Sequence, residues 1–405
     1  MAPPDADLPT IAIIGAGITG LLLAQGLQKN GYKVTVYEKE NYLGEKVREW
    51  TMLLHWAWPV ITKLIPPNLL EEVNAAYTDP SYPYDDKEIE SIPFYNGLTG
   101  QLILNVPSAA RRISRTRFRR LCSQGVDIHW GASITAINIP EPNDKDPVMI
   151  TFANGKTAQA DLVIGADGPN SFVRRFLVGE DKAKPAPTTI AIGNGLVKYT
   201  TAEMALKVRA PSPICALGTL PGMAVFSAVQ EVPDPNDPAT WTFHTALIWN
   251  EPSSPIVFLD GPKASKKVQE KIASISLAEP FRSAFHEIDP AHCNFIVSRL
   301  HSWETIPWSG GKVTLAGDAA HALLPARGQG LNQALADVDS FVTQFIRVKE
   351  GQITVREALG KYEEELFERG PSAVSNSLED SKELMTPVGF ERGRVASNGF
   401  RQVKN

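Results

Sequence analysis

The hydrophobic pattern changes period twice within the first forty residues. "TIAIIGAG" (Thr10 to Gly17) contains an unbroken apolar run, which predicts a strand buried on both faces. "ITGLLLAQGLQKNG" takes up helical spacing and closes at Gly31, and "KVTVYEK" returns to strand. A βαβ unit of this kind favours a parallel sheet. Beyond a loop, Trp50 to Ile65 and Asn68 to Tyr77 are expected to be helical, with a break at Pro66-Pro67. "EIESIPFYNGLTGQLILNVP" predicts two strands around Asn96-Gly97, and "RRISRTRFRRL" (111 to 121) a helix with one apolar face and a solvated basic side. "VDIHW" and "SITAINI" are expected strands, and "VMITFANGKTAQADLVIGADG" a hairpin followed by a buried strand.

From about residue 180 to 300 proline and turn residues become dense, and "AVFSAVQEV" and "WTFHTALIWN" alternate in polarity, as in an antiparallel sheet inserted into the α/β body. "KVTLAG" returns to the first body and two long helices follow it. The last stretch, "GFERGRVASNGFRQVKN", has little period and is expected to be loose.

A chain of 405 residues with 43% hydrophobic and 21% charged residues has enough material for two or three domains with a sizeable core. The net charge of −5, without a basic block, argues against nucleic acid as a partner. Three scattered cysteines (Cys122, Cys215, Cys293) fit neither a disulfide framework nor a metal cluster. No signal peptide is expected before the first strand. The longest apolar stretch, "TMLLHWAWPVITKLI", is too short and interrupted to span a bilayer. A reducing, cytoplasmic setting is expected. The seven histidines lack metal-ligand spacing, so no metal is predicted, and no G-x-S-x-G elbow marks a hydrolase.

Two glycine turns carry the chemistry. Gly15-x-Gly17-x-x-Gly20 lies between a strand and a helix. Gly15 permits a tight turn, Gly17 lets a phosphate approach the backbone, and Gly20 lets helix and strand pack closely. The helix N-terminus supplies unpaired N–H groups for a pyrophosphate. Glu38 ends the second strand, 38 − 20 = 18 residues after Gly20, where its carboxylate can accept from ribose hydroxyls. An acid there disfavours a 2′-phosphate, which leaves NAD or FAD. The second turn, "VTLAGDAAHALLPARGQGLN", places Asp318 at the C-terminal end of a buried strand and opens a helix with Gly328, Gly330, Leu331 and Asn332. A carboxylate for a sugar-alcohol hydroxyl and a helix N-terminus facing an electron-rich ring suit a ribityl chain and a flavin, and so FAD.

These motifs, with "DLVIGADGPNSFVRR" between them, resemble the three fingerprints of single-component FAD-dependent monooxygenases, typified by para-hydroxybenzoate hydroxylase and salicylate hydroxylase. The resemblance spans about residues 10 to 345, and "RGQGLN" is most similar to fungal secondary-metabolism members. It implies an α/β fold with a Rossmann-like FAD-binding domain and an inserted, mostly antiparallel substrate domain. FAD-binding segments are expected over 8–80, 109–179 and 301–350, substrate-domain segments over 81–108 and 180–300, and C-terminal helices and tail over 351–405. Gly15, Gly17, Gly20 and Glu38 match the ADP site, Asp318 the acid on the ribityl chain, and Gly328 to Asn332 the loop at the ring. Arg115 matches a phosphate-contacting arginine. Asp167 lies in the middle motif, which the family links to FAD and nicotinamide, and Arg48 matches by spacing an arginine near the adenosine.

The implied reaction uses noncovalent FAD, NADPH or NADH, and O2, and passes through a flavin C4a-hydroperoxide that hydroxylates or epoxidises an aromatic or polycyclic small molecule. A reductase or dehydrogenase on the same fold, and a flavin carrier without turnover, remain alternatives at this stage. His55, Trp56 and Trp58 are candidates for the substrate pocket, with helix-face core an equal reading. His321, just after a strand and among alanines, is read as a packed structural residue rather than a base.

Overall fold

A computed structural model describes residues 8–45, 49–84, 90–139, 146–252 and 258–399. The apolar runs form a parallel sheet of five strands, in the order Val313–Leu315, Leu162–Gly165, Ile11–Ile14, Val34–Tyr37 and Ile128–His129. Its three central strands, Leu162–Gly165, Ile11–Ile14 and Val34–Tyr37, are almost wholly buried, as runs without a polar face require. The helix Ile18–Lys29 covers one side, joined there by Gln329–Lys349. The helix Val355–Leu384, begun by a Thr354/Glu357 capping box, packs on that last helix. Tyr362 sets its ring edge-on to Phe341 and donates its hydroxyl to Leu315 O at 2.6 Å, tying the long helix to the edge strand.

The second body is an eight-stranded sheet, in the order Leu259–Asp260, Cys293–Ser302, Ala186–Lys198, Thr242–Asn250, Met223–Glu231, Ala216–Leu220, Glu90–Asn96 and Leu102–Ser108. Every pairing is antiparallel except Ala216–Leu220 with Glu90–Asn96. One face carries its own core of Trp249, Phe243, Phe281 and Phe295 under the helix Gly261–Ala273. The other face packs Ile92, Phe94, Ala224 and Ile248 against Leu53 and Leu324 of the first body. That second face is turned towards the first body.

Three expectations are corrected. Within Trp50 to Ile65, Thr51–Leu54 is a strand paired with Arg111–Ser114, and the helix begins only at Trp58. Four apolar residues in a row carry no period, so the partner strand decides their conformation. The basic stretch begins as that partner strand, and its helix, Arg115–Ser123, starts at the Ser114 cap. Its arginines do not form a solvated side: Arg111, Arg112 and Arg119 are buried, and only Arg120 is exposed. The tail is not loose up to residue 399. Phe390 stacks on Phe94 with ring centroids 4.4 Å apart, and Arg394 binds Asp380 and Asn376.

Buried polar groups join the two bodies. Thr51 Oγ1 lies 2.8 Å from His244 Nδ1, and His244 Nε2 contacts Asn194 Oδ1 on the neighbouring sheet strand. This fits a neutral imidazole carrying its proton on Nε2. Glu49 Oε1 accepts from Ser114 Oγ at 3.0 Å and from Gln230 Nε2 at 2.7 Å. Burial, with Arg112 nearby, pushes the His244 pKa down to about 3, and burial with Arg327 does the same to His55.

The sign of the resulting pH dependence follows. Unfolded histidines take up protons as pH falls through about 6.5, whereas the folded ones stay neutral until about 3. Stability is therefore full above that window and declines across it, by at most about 1.4 kcal/mol per pH unit for each group. Urea midpoints measured from neutral pH down to about pH 5 are expected to fall, and His244→Gln to make the fall shallower. An unchanged slope in that variant would refute the assignment of His244.

Candidate flavin site

Register sets the site. Ile14, Tyr37, Gly165 and Leu315 lie in one row across the parallel sheet. The segments leaving that row at the carboxyl ends are Gly15, Glu38, Ala166-Asp167 and Ala316 to Asp318, where open α/β sheets collect ligands. Gly15 has φ +107°, and a Cβ there would lie 2.4 Å from Ala166 O. A Cβ on Gly20 would lie 2.1 Å from Gly15 O, so both positions exclude alanine. Gly17 has open space beside it, and as the cap of Ile18–Lys29 it offers no side-chain acceptor to the first-turn N–H groups.

Glu38 is buried. Its Oε2 accepts from Ala16 N at 2.7 Å and its Oε1 from Glu40 N at 3.0 Å, which leaves lone pairs on both oxygens. Arg119, which the sequence reading passed over, props this turn by donating Nε to Ala16 O and Nη1 to Glu40, each at 2.7 Å. Its signal was its place one helical turn after Arg115. Arg115 itself begins the helix, its guanidinium 4.9 Å from the Trp50 ring centroid and close enough for its charge to act on Asp318. Arg48 lies outside the described residues.

The middle motif is mainly scaffolding. Asp167 Oδ2 caps the helix Phe172–Val178 through Phe172 N at 2.6 Å and Val173 N at 3.2 Å, while Oδ1 is buried without a partner. Burial raises the Asp167 pKa. Arg174 donates to Asp318 O at 3.3 Å, to Ala319 O at 3.0 Å and to Pro169 O, locking the middle motif onto the last one.

The last motif closes the site. Gly317 packs on Thr19 of the first helix, where a Cβ would come within 2.5 Å of Oγ1. Asp318 presents an accessible carboxyl in a deep setting. Burial raises its pKa against the pull of the His321 and Arg115 charges. Beneath it, Asp337 accepts from Gly317 N at 2.6 Å, His321 Nε2 at 2.8 Å and Arg369 at 2.6 Å. His321 is thus held in a buried network, the structural role read from its surroundings. Nothing local in the sequence indicates Asp337 or Arg369.

Gly328, at φ +59°, turns the chain into Gln329–Lys349 without a side-chain cap, and Gly330 has open space beside it. The backbone N–H groups of Gly330 and Leu331 lie in this uncapped first turn. The Asn332 side chain has another task. It accepts from His55 N at 3.1 Å and Ala57 N at 3.4 Å, and donates to Leu53 O at 2.9 Å and Gly328 O at 3.0 Å. It therefore fixes the loop rather than reaching outward.

His55 and Trp56 meet edge to face with ring centroids 6.3 Å apart, and Trp56 and Trp58 are partly exposed. His55 is buried. Trp56 donates to Gln329 Oε1 at 3.0 Å, and Trp58 lies beneath the Arg111 guanidinium at 4.0 Å and beside Tyr77. Further partly exposed aromatic residues pack with the second face of the large sheet: Phe226 from the strand Met223–Glu231, and Tyr82 and Tyr84 from the irregular segment after Val73–Ala76. They were missed because alternation shows which residues share a sheet face, but not what covers that face.

The site fits FAD: an open glycine turn, two uncapped helix N-termini and an accessible carboxyl between them match a pyrophosphate, a ring and a polyol chain. Comparison with known proteins agrees. Residues 118–377 match the FAD binding domain family, and residues 13–58 an NAD(P)-binding Rossmann-like domain. The chain is 33% identical over 400 residues to the FAD-dependent monooxygenase phnB of Penicillium herquei, covering 96% of this chain and 94% of the relative. It is 30% identical to the FAD-dependent monooxygenase cctM of Talaromyces islandicus, covering 98% of each. A salicylate hydroxylase substrate complex shares the fold, with a TM-score of 0.71 at 20% identity, over 93% of this chain and 89% of that one. The chain belongs to the FAD-dependent monooxygenases, enzymes that use NAD(P)H and O2.

Proposed function

We propose that this monooxygenase acts on an aromatic or polycyclic small molecule, which it hydroxylates, with epoxidation the second choice. The observation that carries this reading is the partly exposed aromatic group of Tyr82, Tyr84 and Phe226 at the second face of the large sheet, packed on the core cluster that also holds Leu53 and Leu324 beside the second glycine turn. Flat apolar faces suit a flat apolar ring. The division into FAD-binding segments (8–80, 109–179, 301–350) and substrate segments (81–108, 180–300) is part of the proposal, supported by the membership of the two large sheets. No helix among the described residues is long and apolar enough to cross a membrane. A cytoplasmic setting is proposed with support from the three free cysteines.

Bound FAD supplies the redox chemistry, carrying electrons from NAD(P)H to oxygen so that one oxygen atom reaches the substrate. The residues of this chain bind, orient and shield. Glu38 takes ribose hydroxyls, Gly15 and Gly17 leave room for the pyrophosphate at the first helix, and Arg115 faces its charge. Asp318 accepts from the ribityl chain. The Gly328–Asn332 turn, held by the Asn332 clamp, aims N–H groups and the positive end of a 21-residue helix at the ring. The large sheet closes over the ring and excludes water, which keeps activated oxygen from being wasted.

Asp318→Ala is expected to weaken FAD binding to the apo-protein roughly ten- to a hundredfold, from the about 1.5–3 kcal/mol of a hydrogen bond to a charged group. Unchanged affinity in a folded variant would remove Asp318 from the site. For the reaction itself, purified holoenzyme should be screened with hydroxylated aromatic compounds by NAD(P)H oxidation under isotopically labelled O2. A single labelled oxygen atom in an aromatic product is expected. Activity confined to non-aromatic substrates would overturn the proposed substrate class.

A further inference from the structure

Arg112 is a buried cation that the flavin site does not use. It lies on the strand Arg111–Ser114, in register with Leu53, and Leu53 Cβ is the atom that a side chain on Gly328 would meet at 3.0 Å. The strand pair thus sets Arg112 one residue pair from the second glycine turn. The residue is only 4% exposed, and its guanidinium lies 4.7 Å from the Phe226 ring centroid on the second face of the large sheet. The ionisable groups acting on it are the Cys215 thiol and the Tyr84 phenol, and its own charge acts on His244. Among the described residues no carboxylate meets it, and its Nε has no acceptor.

Arg174, fully buried, is satisfied by main-chain carbonyls, and several other buried or half-buried arginines meet carboxylates. Arg119 pairs with Glu38 and Glu40, Arg209 with Asp79, Arg327 with Asp380, and Arg369 with Asp337 and Glu365. An unpaired buried charge is strongly destabilising, and attraction to one aromatic ring recovers only part of that cost. Phe226 and Tyr84, the rings beside it, are each only partly buried, so solvent-accessible surface lies next to the guanidinium. A site of this kind is complete when an anion enters it.

We infer that Arg112 recognises a negatively charged oxygen of the substrate, a carboxylate or an ionised phenol or enol, and so orients the ring. The inference rests on the proposed reading of this aromatic face as the substrate site. The planar fork of the guanidinium suits a delocalised oxyanion, which it can grip through two N–H donors. With the oxyanion anchored beside Phe226, the rest of the ring extends along the sheet face towards Gly328, and the position presented for oxidation is fixed by its distance from the charged group.

Equilibrium dialysis of the FAD-loaded enzyme against 4-nitrobenzoate, 4-nitrophenolate and nitrobenzene tests this with matched probes. At least one anion is expected to bind about tenfold or more tightly than nitrobenzene, as a charge-assisted hydrogen bond provides. Which anion is preferred separates a carboxylate-bearing substrate from an ionised phenol. Arg112→Met should lose the preference while keeping its FAD, its visible flavin spectrum and its affinity for nitrobenzene; Arg112→Lys should recover part of the preference. If Arg112→Met fails to hold FAD, Arg112→Gln carries the same comparison. Equal binding of all three probes by the wild type, or an undiminished preference in the Met or Gln variant, would overturn the inference. Binding is read without NAD(P)H or turnover. Failure of the proposed substrate class would instead leave anion binding intact and appear as absence of labelled oxygen in aromatic products.

Discussion

The structure depends on one contact: the backbone of Gly15 lying against the carbonyl of Ala166, at a distance no side chain permits. That approach lets the strands Ile11–Ile14 and Leu162–Gly165 end at the same level, with Leu315 in the same row. Everything cofactor-directed then follows from where three neighbouring strands stop. The first turn, the middle motif and the Asp318 loop become one surface, although about three hundred residues separate the first from the last. Two glycine turns are needed because one ligand has two ends. On the proposed reading the first takes the pyrophosphate and the second the ring, with Glu38 beside the adenosine ribose and Asp318 beside the ribityl chain.

The stiffness of this surface comes from buried polar groups that do not themselves face a ligand. Asp337 holds Gly317, His321 and Arg369 together, and burial, which acts against its charge, is outweighed by His321 and Arg369, so its pKa is held down to about 2. Asn332 does the equivalent work at the second turn, where one amide satisfies four main-chain groups. Groups of this kind keep a loop in a single conformation, as a site that must orient both a ring and an oxygen atom requires.

Much of this arrangement was legible in the sequence. The strand-turn-helix signals at Gly15 and Gly317, the acid at the end of the second strand and the inserted antiparallel sheet all have local patterns, because their residues act within a few positions of one another. What was misread depends on distant partners. Thr51–Leu54 became a strand because Arg111–Ser114 lies beside it, and Arg111, Arg112 and Arg119 are buried against a carboxylate, a carbonyl or an aromatic ring from elsewhere. The tail is ordered by Asp380, Asn376 and Phe94, and its own residues show no such pattern. Arg119, Asp337 and His244 were missed for the same reason: one sequence does not show which buried polar group meets which.

The central claim is that both turns serve one dinucleotide flavin, so the adenosine half must contribute binding at the Gly15 end. Comparing the affinity of the apo-protein for FAD with that for FMN, in the wild type and in Glu38→Ala, tests this most directly. The account predicts much tighter binding of FAD than of FMN, with Glu38→Ala weakening FAD alone. Equal affinities for FAD and FMN, or an equal loss for both flavins in the variant, would contradict it.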